Sequence, residues 1–163
     1  MKQDKFRNNI LPLCDKLFRL ALRITGNKQD AEDVVQDALF KIWKKSDEWD
    51  SIANLEAYCF RSTRNIAIDK LALKENQTEA WRENNDYPET TPCIQERLEQ
   101  EEQLKMLDDF IAQLPEKQRT IFQLREIEEL SYKEIAEVLA ISEEQVKVNL
   151  FRSRQKLKSF FEE

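Results

Sequence analysis

Glycine sets the tightest limit on this chain, because Gly26 is the only one among 163 residues. Tight β-hairpins rely on glycine for the positive φ of their turns. A chain that supplies one such residue reads as all-α. The same scarcity excludes a Gly-rich loop that cradles phosphates. Histidine is absent altogether, which removes the commonest general base. No carboxylate, lysine or thiol stands with a base beside it as a nucleophile would. The expectation is therefore a protein that is not an enzyme and needs no cofactor. Cys14, Cys59 and Cys93 are scattered and form no C-x-x-C pair. They read as reduced thiols rather than a disulfide framework or a zinc site.

Hydrophobic residues make up 40% of the chain and charged residues 36%. That balance is too apolar for disorder and too charged for a membrane protein. No apolar run approaches the roughly 20 residues that span a bilayer. The start, MKQDKFRNN, lacks the apolar core of a secretory signal. The expected location is the cytoplasm.

Helical periodicity places the elements. Apolar residues from Phe6 to Thr25 predict a helix, started or kinked at Pro12 and stopped at Gly26-Asn27. Asp30 is expected to cap a second helix that runs to about Lys45. A polar stretch, Ser46 to Asn54, separates it from a third helix over Leu55 to Leu73. The period then fails from Lys74 to Gln95, where Asn, Glu and Thr accumulate with Pro88 and Pro92. This segment reads as a linker whose Trp81, Tyr87 and Ile94 dock on a domain or a partner. Helices follow over Ile94 to Gln113 and Glu116 to Glu128. Ser131 with Glu134, and Ser142 with Gln145, are capping boxes opening helices to Leu139 and to about Phe160. Two capped helices separated by Ala140-Ile141 make a helix-turn-helix. The expected architecture is two small helical domains, residues 1–73 and 96–163, joined by a flexible linker over 74–95.

The last helix carries the clearest functional signal. Val146, Leu150, Ser153 and Leu157 share its packing face. Glu144, Lys147, Val148, Phe151, Arg152 and Gln155 share the opposite face, flanked by Arg154, Lys156 and Lys158. From Gln145 to Phe161 there are five bases and no acid, yet the whole chain has 26 Lys+Arg against 32 Asp+Glu. Positive charge thus concentrates on the helix that would enter a major groove, where bases pair with phosphates. Val148 and Phe151 suit thymine methyls, and Arg, Lys and Gln suit base edges. Glu144 either caps the helix or accepts from a cytosine amine. The competing reading is a solvated basic face bearing a stray Phe.

The helix Ala31 to Lys45 divides in the same way. Val34, Val35, Ala38, Leu39 and Ile42 form a buried stripe. Asp33, Gln36, Asp37, Phe40, Lys41 and Lys44 form an outer face with an aromatic at its centre. Phe40 is either an interface anchor or a ring exposed or covered by a neighbouring helix.

These stretches, taken together, resemble a known family. DAEDVVQDALFKIW (30–43) resembles region 2.2 of extracytoplasmic-function sigma factors, and AYCFRSTRNIAIDKL (57–71) resembles regions 2.3 and 2.4. LPEKQRTIF (114–122), LSYKEIA (130–136) and VKVNLFRSRQKL (146–157) resemble region 4. The resemblance implies a sigma factor that binds core RNA polymerase and directs promoter-specific initiation. It implies that Asp33, Gln36, Asp37, Phe40 and Lys41 dock on the clamp helices of the β′ subunit. It implies that the second stretch reads the melted −10 strand, with Asn65 at a base and Arg61, Arg64 and Lys70 along the backbone. Trp49, in the preceding loop, either stacks on a base or fills the core. In region 4 the matched contact positions for duplex −35 DNA are Lys147, Val148, Asn149, Phe151 and Arg152, and the same region touches the β flap. An anti-sigma protein is a further implied partner. The chain departs from the family pattern at Glu144-Gln145, where Gly-Thr is usual, at Ala140, where Gly is usual, and at Asn149, where a base is frequent; the −35 sequence is therefore left open.

Two other classes compete. A stand-alone helix-turn-helix regulator predicts a dimer that binds duplex without polymerase. A helical adaptor without a DNA role predicts no basic reading face.

Overall fold

A computed structural model describes residues 1–76 and 98–162, and every element among them is helical. Much of the expected linker, including Trp81, Tyr87, Pro88, Pro92, Cys93 and Ile94, lies outside the described residues, as does the expected start of the following helix.

The N-terminal helix is broken, as Pro12 requires. Helix α1 (Lys2–Lys5) passes through a wide turn, Phe6–Ile10, and a tight one, Leu11–Leu13, into α2 (Cys14–Thr25). Gly26 ends α2 in the left-handed conformation, φ 70°, and its N–H donates to Leu22 O at 2.8 Å. The next helix corrects one expectation. Asn27, not Asp30, is the cap of α3 (Lys28–Lys44), its side chain accepting from Asp30 N at 3.2 Å. Gly26 leaves Asn27 extended, and asparagine caps as well as aspartate. Asp30 falls inside the first turn, mostly buried, and pairs with Lys74. The polar stretch after α3 is a short 3₁₀ helix, Ser46–Ser51. Helix α4 (Leu55–Asn76) runs beyond Leu73, because the residues up to Glu75 include no proline or glycine to break it.

In the second half, α5 (Leu98–Gln113) precedes Leu114-Pro115, and α6 (Glu116–Phe122) widens into a π-type turn, Gln123–Ile127. Both capping boxes form. Ser131 Oγ accepts from Glu134 N at 3.1 Å while Glu134 Oε1 accepts from Ser131 N at 3.1 Å, opening α7 (Tyr132–Leu139). Ser142 and Gln145 exchange the same pair of bonds at 3.1 and 3.3 Å to open α8 (Glu143–Glu162).

Ala140 turns the chain between α7 and α8 at φ 56°, a conformation that strains any side chain with a Cβ. Ala140→Gly is therefore expected to raise stability by about 0.5–1 kcal/mol, the relief of that strain outweighing the added freedom of the unfolded chain. A denaturant melt that shows no gain would count against the assigned turn.

One apolar core runs through both halves. Leu17, Leu20, Val34, Ile42 and Phe60 join Ile121, Leu124, Leu130, Ile135, Val146 and Leu150 in a single cluster. A smaller cluster of Phe110, Ile111, Leu114 and Phe122 lies beside it, with Leu157 and Phe160 packed against it. The join is made where α4 packs on α7. Cys59 is part of the main core, and burial pushes its thiol up to about 12, which suits a reduced and unreactive cysteine. No helix among the described residues is long and apolar enough to cross a membrane.

Candidate nucleic-acid interface

Helix α8 divides as its periodicity requires. Val146 and Ser153 are fully buried and Leu150 nearly so, and together they fix the rotation of the helix. The opposite side then faces solvent. Phe151 is 63% exposed and Val148 43%, well beyond what a packed apolar side chain shows. Glu144, Lys147, Arg152 and Gln155 stand exposed with them. Arg152 has no hydrogen-bond or ion-pair partner among the described residues. Its guanidinium is free to meet an acceptor.

Not every polar group here is equally available. Asn149 Nδ2 donates to Gln145 O at 2.7 Å, so the amide is turned back on its own helix. Lys147 leans over the Tyr132 ring, 5.7 Å from its centroid. Arg154 is bonded to Glu126 at 2.6 and 2.8 Å, an ion pair that holds its guanidinium above the ordinary arginine range. Lys156 donates to Gln118 at 3.0 Å. Arg154 and Lys156 thus brace α8 against the π-type turn and α6. Lys147, Arg152 and Lys158 are the bases that project outward.

On α4, Arg61 and Asn65 are exposed. Arg64 is half-buried, and one of its terminal nitrogens bonds Glu116 at 3.3 Å. Its Nε is buried without a partner among the described residues. Lys70 pairs with Asp33 across α3 and α4 at 3.2 Å. That pair ties one residue expected at the strand to one expected at polymerase, and nothing local to either position marks the other as its partner.

Trp49 is a correction. The ring is 2% exposed, and its Nε1–H donates to Ile42 O at 3.0 Å. It stacks on Phe6 at 6.4 Å between centroids and meets Trp43 edge-on at 6.1 Å. Of the two roles open to it, the core role is the one it plays here. The reason is physical: the 3₁₀ turn folds back over the end of α3, where a buried indole finds both aromatic neighbours and an acceptor.

The outer face of α3 exposes Asp33, Gln36, Asp37, Phe40 and Lys41 together. Phe40 is 60% exposed, and Lys44 lies over its ring, 4.6 Å from the centroid. No neighbouring helix covers it among the described residues.

A second set of polar contacts joins the two halves, and sequence reasoning missed all of it. Arg19 on α2 makes a forked pair with Glu128 at 2.7–3.1 Å. The Glu128 side chain is fully buried, whereas that of Arg19 is 45% exposed. The hydrogen bond to Glu128 holds the Arg19 guanidinium above its ordinary range. Gln123 also donates to Glu128 at 3.0 Å, and Arg23 donates to Gln123 and to Asp108 at 2.9 Å each. Asn54 donates to Glu134 at 3.5 Å. Burial, and secondarily Glu134, raises the Glu56 carboxyl. The one available signal was two arginines on one side of a helix that otherwise packs inward.

Both halves of the chain resemble known proteins. Residues 13–76 match the family described as sigma-70 region 2, and residues 104–157 match that described as sigma-70, region 4. The chain is 27% identical to the ECF RNA polymerase sigma factor SigW of Bacillus subtilis (strain 168), over 96% of this chain and 88% of that protein. It is 31% identical to the RNA polymerase sigma-E factor of Streptomyces avermitilis, over 91% of this chain and 80% of that protein. The fold also matches the sigma factor RpoE from Bartonella quintana, solved in complex with the anti-sigma factor NepR. That match has a TM-score of 0.75 at 22% identity and covers 96% of each chain.

Proposed function

Because the chain belongs to the extracytoplasmic-function sigma factors of the sigma-70 family, proteins that act in transcription initiation without catalysis of their own, we propose a specific division of labour over its surfaces. Residues 1–73 dock on core RNA polymerase and hold the melted −10 strand. Residues 96–163 read −35 duplex. The chain works in the cytoplasm beside the polymerase.

The observation that carries this reading is the solvent face of α8. Apolar Val148 and Phe151 stand exposed among Lys147 and Arg152 on a helix rotated by its buried Val146, Leu150 and Ser153. Exposure of a Phe and a Val has no folding benefit, whereas a base-reading helix uses both. The total charge of −6 opposes binding of the free chain to random DNA, so specificity is expressed in the assembled holoenzyme. On α3, Phe40 and its polar surround meet the β′ clamp helices. A groove of about 470 Å³ in the second half, lined by Phe110, Leu114 and Phe160 together with Gln113, Gln155, Lys156 and Ser159, offers a mixed apolar and polar seat to the β flap. Arg61, Arg64 and Asn65 on α4, with Lys70, meet the unpaired strand. An anti-sigma protein that covers these faces would silence the chain.

The test is selection of promoter duplexes from a randomised pool by reconstituted holoenzyme. Arg152→Ala is expected to weaken binding to the selected sequence by about 1–3 kcal/mol and to relax preference at one base pair. Unchanged affinity together with unchanged preference would remove Arg152 from the reading face.

A further inference from the structure

The basic residues of α8 are not all free to meet DNA. Lys147, Phe151, Arg154 and Lys158 are spaced four, three and four residues apart, so they line one flank of the helix. Of the three bases on that flank, only Arg154 is paired with an acid among the described residues. Its Nε and a terminal nitrogen both donate to Glu126 Oε1, at 2.8 and 2.6 Å. Cations gather around the Tyr132 ring next to this pair. The Arg125 guanidinium lies 4.4 Å and the Lys147 ammonium 5.7 Å from its centroid, and the hydroxyl sits beside Arg154. Arg125 donates to Leu130 O at 2.9 Å. Glu126 is therefore the one carboxylate bonded to any of these three cations among the described residues.

The Arg154–Glu126 pair does little for the fold. Its side chains are 50% and 35% exposed, and a pair so open to water contributes little to stability. The rotation of α8 is already fixed by the buried Val146, Leu150 and Ser153. Beside DNA the same pair weighs more. Each base that meets a phosphate releases condensed counterion and steepens the fall of log affinity with log salt by about 0.9. At about 0.1 M salt, one such contact changes affinity about five- to tenfold. A guanidinium closed on a carboxylate makes no such contact.

We propose that Glu126 sets the affinity of the second half for duplex DNA by keeping Arg154 from a phosphate beside the flank that carries Lys147 and Lys158. The weaker hold on the backbone leaves the base contacts of Val148, Phe151 and Arg152 to decide where the complex stays. It acts in the same direction as the chain's net charge of −6. The proposal rests on the assignment of α8 to −35 duplex.

The experiment uses holoenzyme reconstituted with the full chain, the promoter duplex it selects, and single-base variants of the −35 element. Glu126→Gln keeps the shape of the side chain and removes its charge, and a neutral amide holds a guanidinium less firmly than a phosphate does. The variant is expected to bind about five- to tenfold more tightly at about 0.1 M salt, with a salt slope steeper by about 0.9. The gain should be the same on every −35 variant, because a phosphate contact carries no sequence information. Ethylation interference should show one additional phosphate. Glu126→Gln combined with Arg154→Ala should lose both that phosphate and the gain, and circular dichroism melting checks that the variants fold. No gain in a folded Glu126→Gln chain overturns the proposal. A gain with no new phosphate also overturns it, since Glu126 then acts only as a general repulsive charge. Ethylation interference on the parental holoenzyme separates the two readings. Sensitive phosphates at the −35 element beside a failed variant remove the role of Glu126 alone, and none there removes the assignment of α8 with it.

Discussion

Trp49→Ala is expected to lower stability by about 3–5 kcal/mol, the usual cost of deleting a buried tryptophan. The indole touches Phe6 and Trp43, and its N–H is satisfied by Ile42 O. Its removal opens a cavity at the joint between the broken N-terminal helix and the end of α3. A domain of this size has about 5–15 kcal/mol in hand, so the loss should be plain as a shifted denaturation midpoint. Trp49→Phe keeps a ring in place but loses the hydrogen bond and the volume of the fused ring, for about 1–3 kcal/mol. Trp49→Leu, which fills part of the pocket but has no face on which a base can stack, decides the role. It should capture the melted −10 strand in holoenzyme as well as the parent does. If it folds like the parent and loses strand capture, Trp49 leaves its pocket to stack on a base.

Phe40→Ala is expected to weaken assembly with core polymerase by about 2–4 kcal/mol, a loss of roughly 30- to 1,000-fold, in keeping with a central aromatic anchor. Its exposed ring contributes little to folding beyond the contact with Lys44, worth about 0.5–1 kcal/mol at an exposed site. The expected outcome is a large change in assembly with a small change in melting, measured by titrating labelled chain with core enzyme. Assembly within twofold of the parent would show that the anchor lies elsewhere on α3.

The sequence disclosed most of what local rules govern. The near absence of glycine implied helices, the two capping boxes fixed the helix-turn-helix, and the spacing of Val146, Leu150 and Ser153 gave the rotation of α8. Each of these is decided within a few residues, by backbone sterics or by one stripe of burial. Gly26 signalled the end of α2 but hid the cap that follows. Asn27 and Asp30 are both good caps, and only the path of the backbone out of Gly26 chooses between them. Trp49 could not be assigned because an indole near a loop suits a core and a base equally. The choice depends on Phe6 and Trp43 arriving from other elements. The joint between the halves was beyond reach for the same reason. Arg19 and Glu128 are 109 positions apart, and nothing local to either marks the other as its partner. Two separate cores were the natural expectation from the aperiodic stretch between the halves, whereas the apolar residues of α7 continue the core begun by α2, α3 and α4.

The most direct test of the whole account is initiation itself. Core polymerase alone, and core polymerase with the purified chain, are given a library of bacterial promoter fragments and nucleotides, and transcript starts are mapped. Starts are expected only with the chain, downstream of one shared pair of −35 and −10 sequences, and are expected to weaken sharply with Arg152→Ala or Phe40→Ala. A chain that fails to join the core enzyme, or joins it and yields no new start site, contradicts the account.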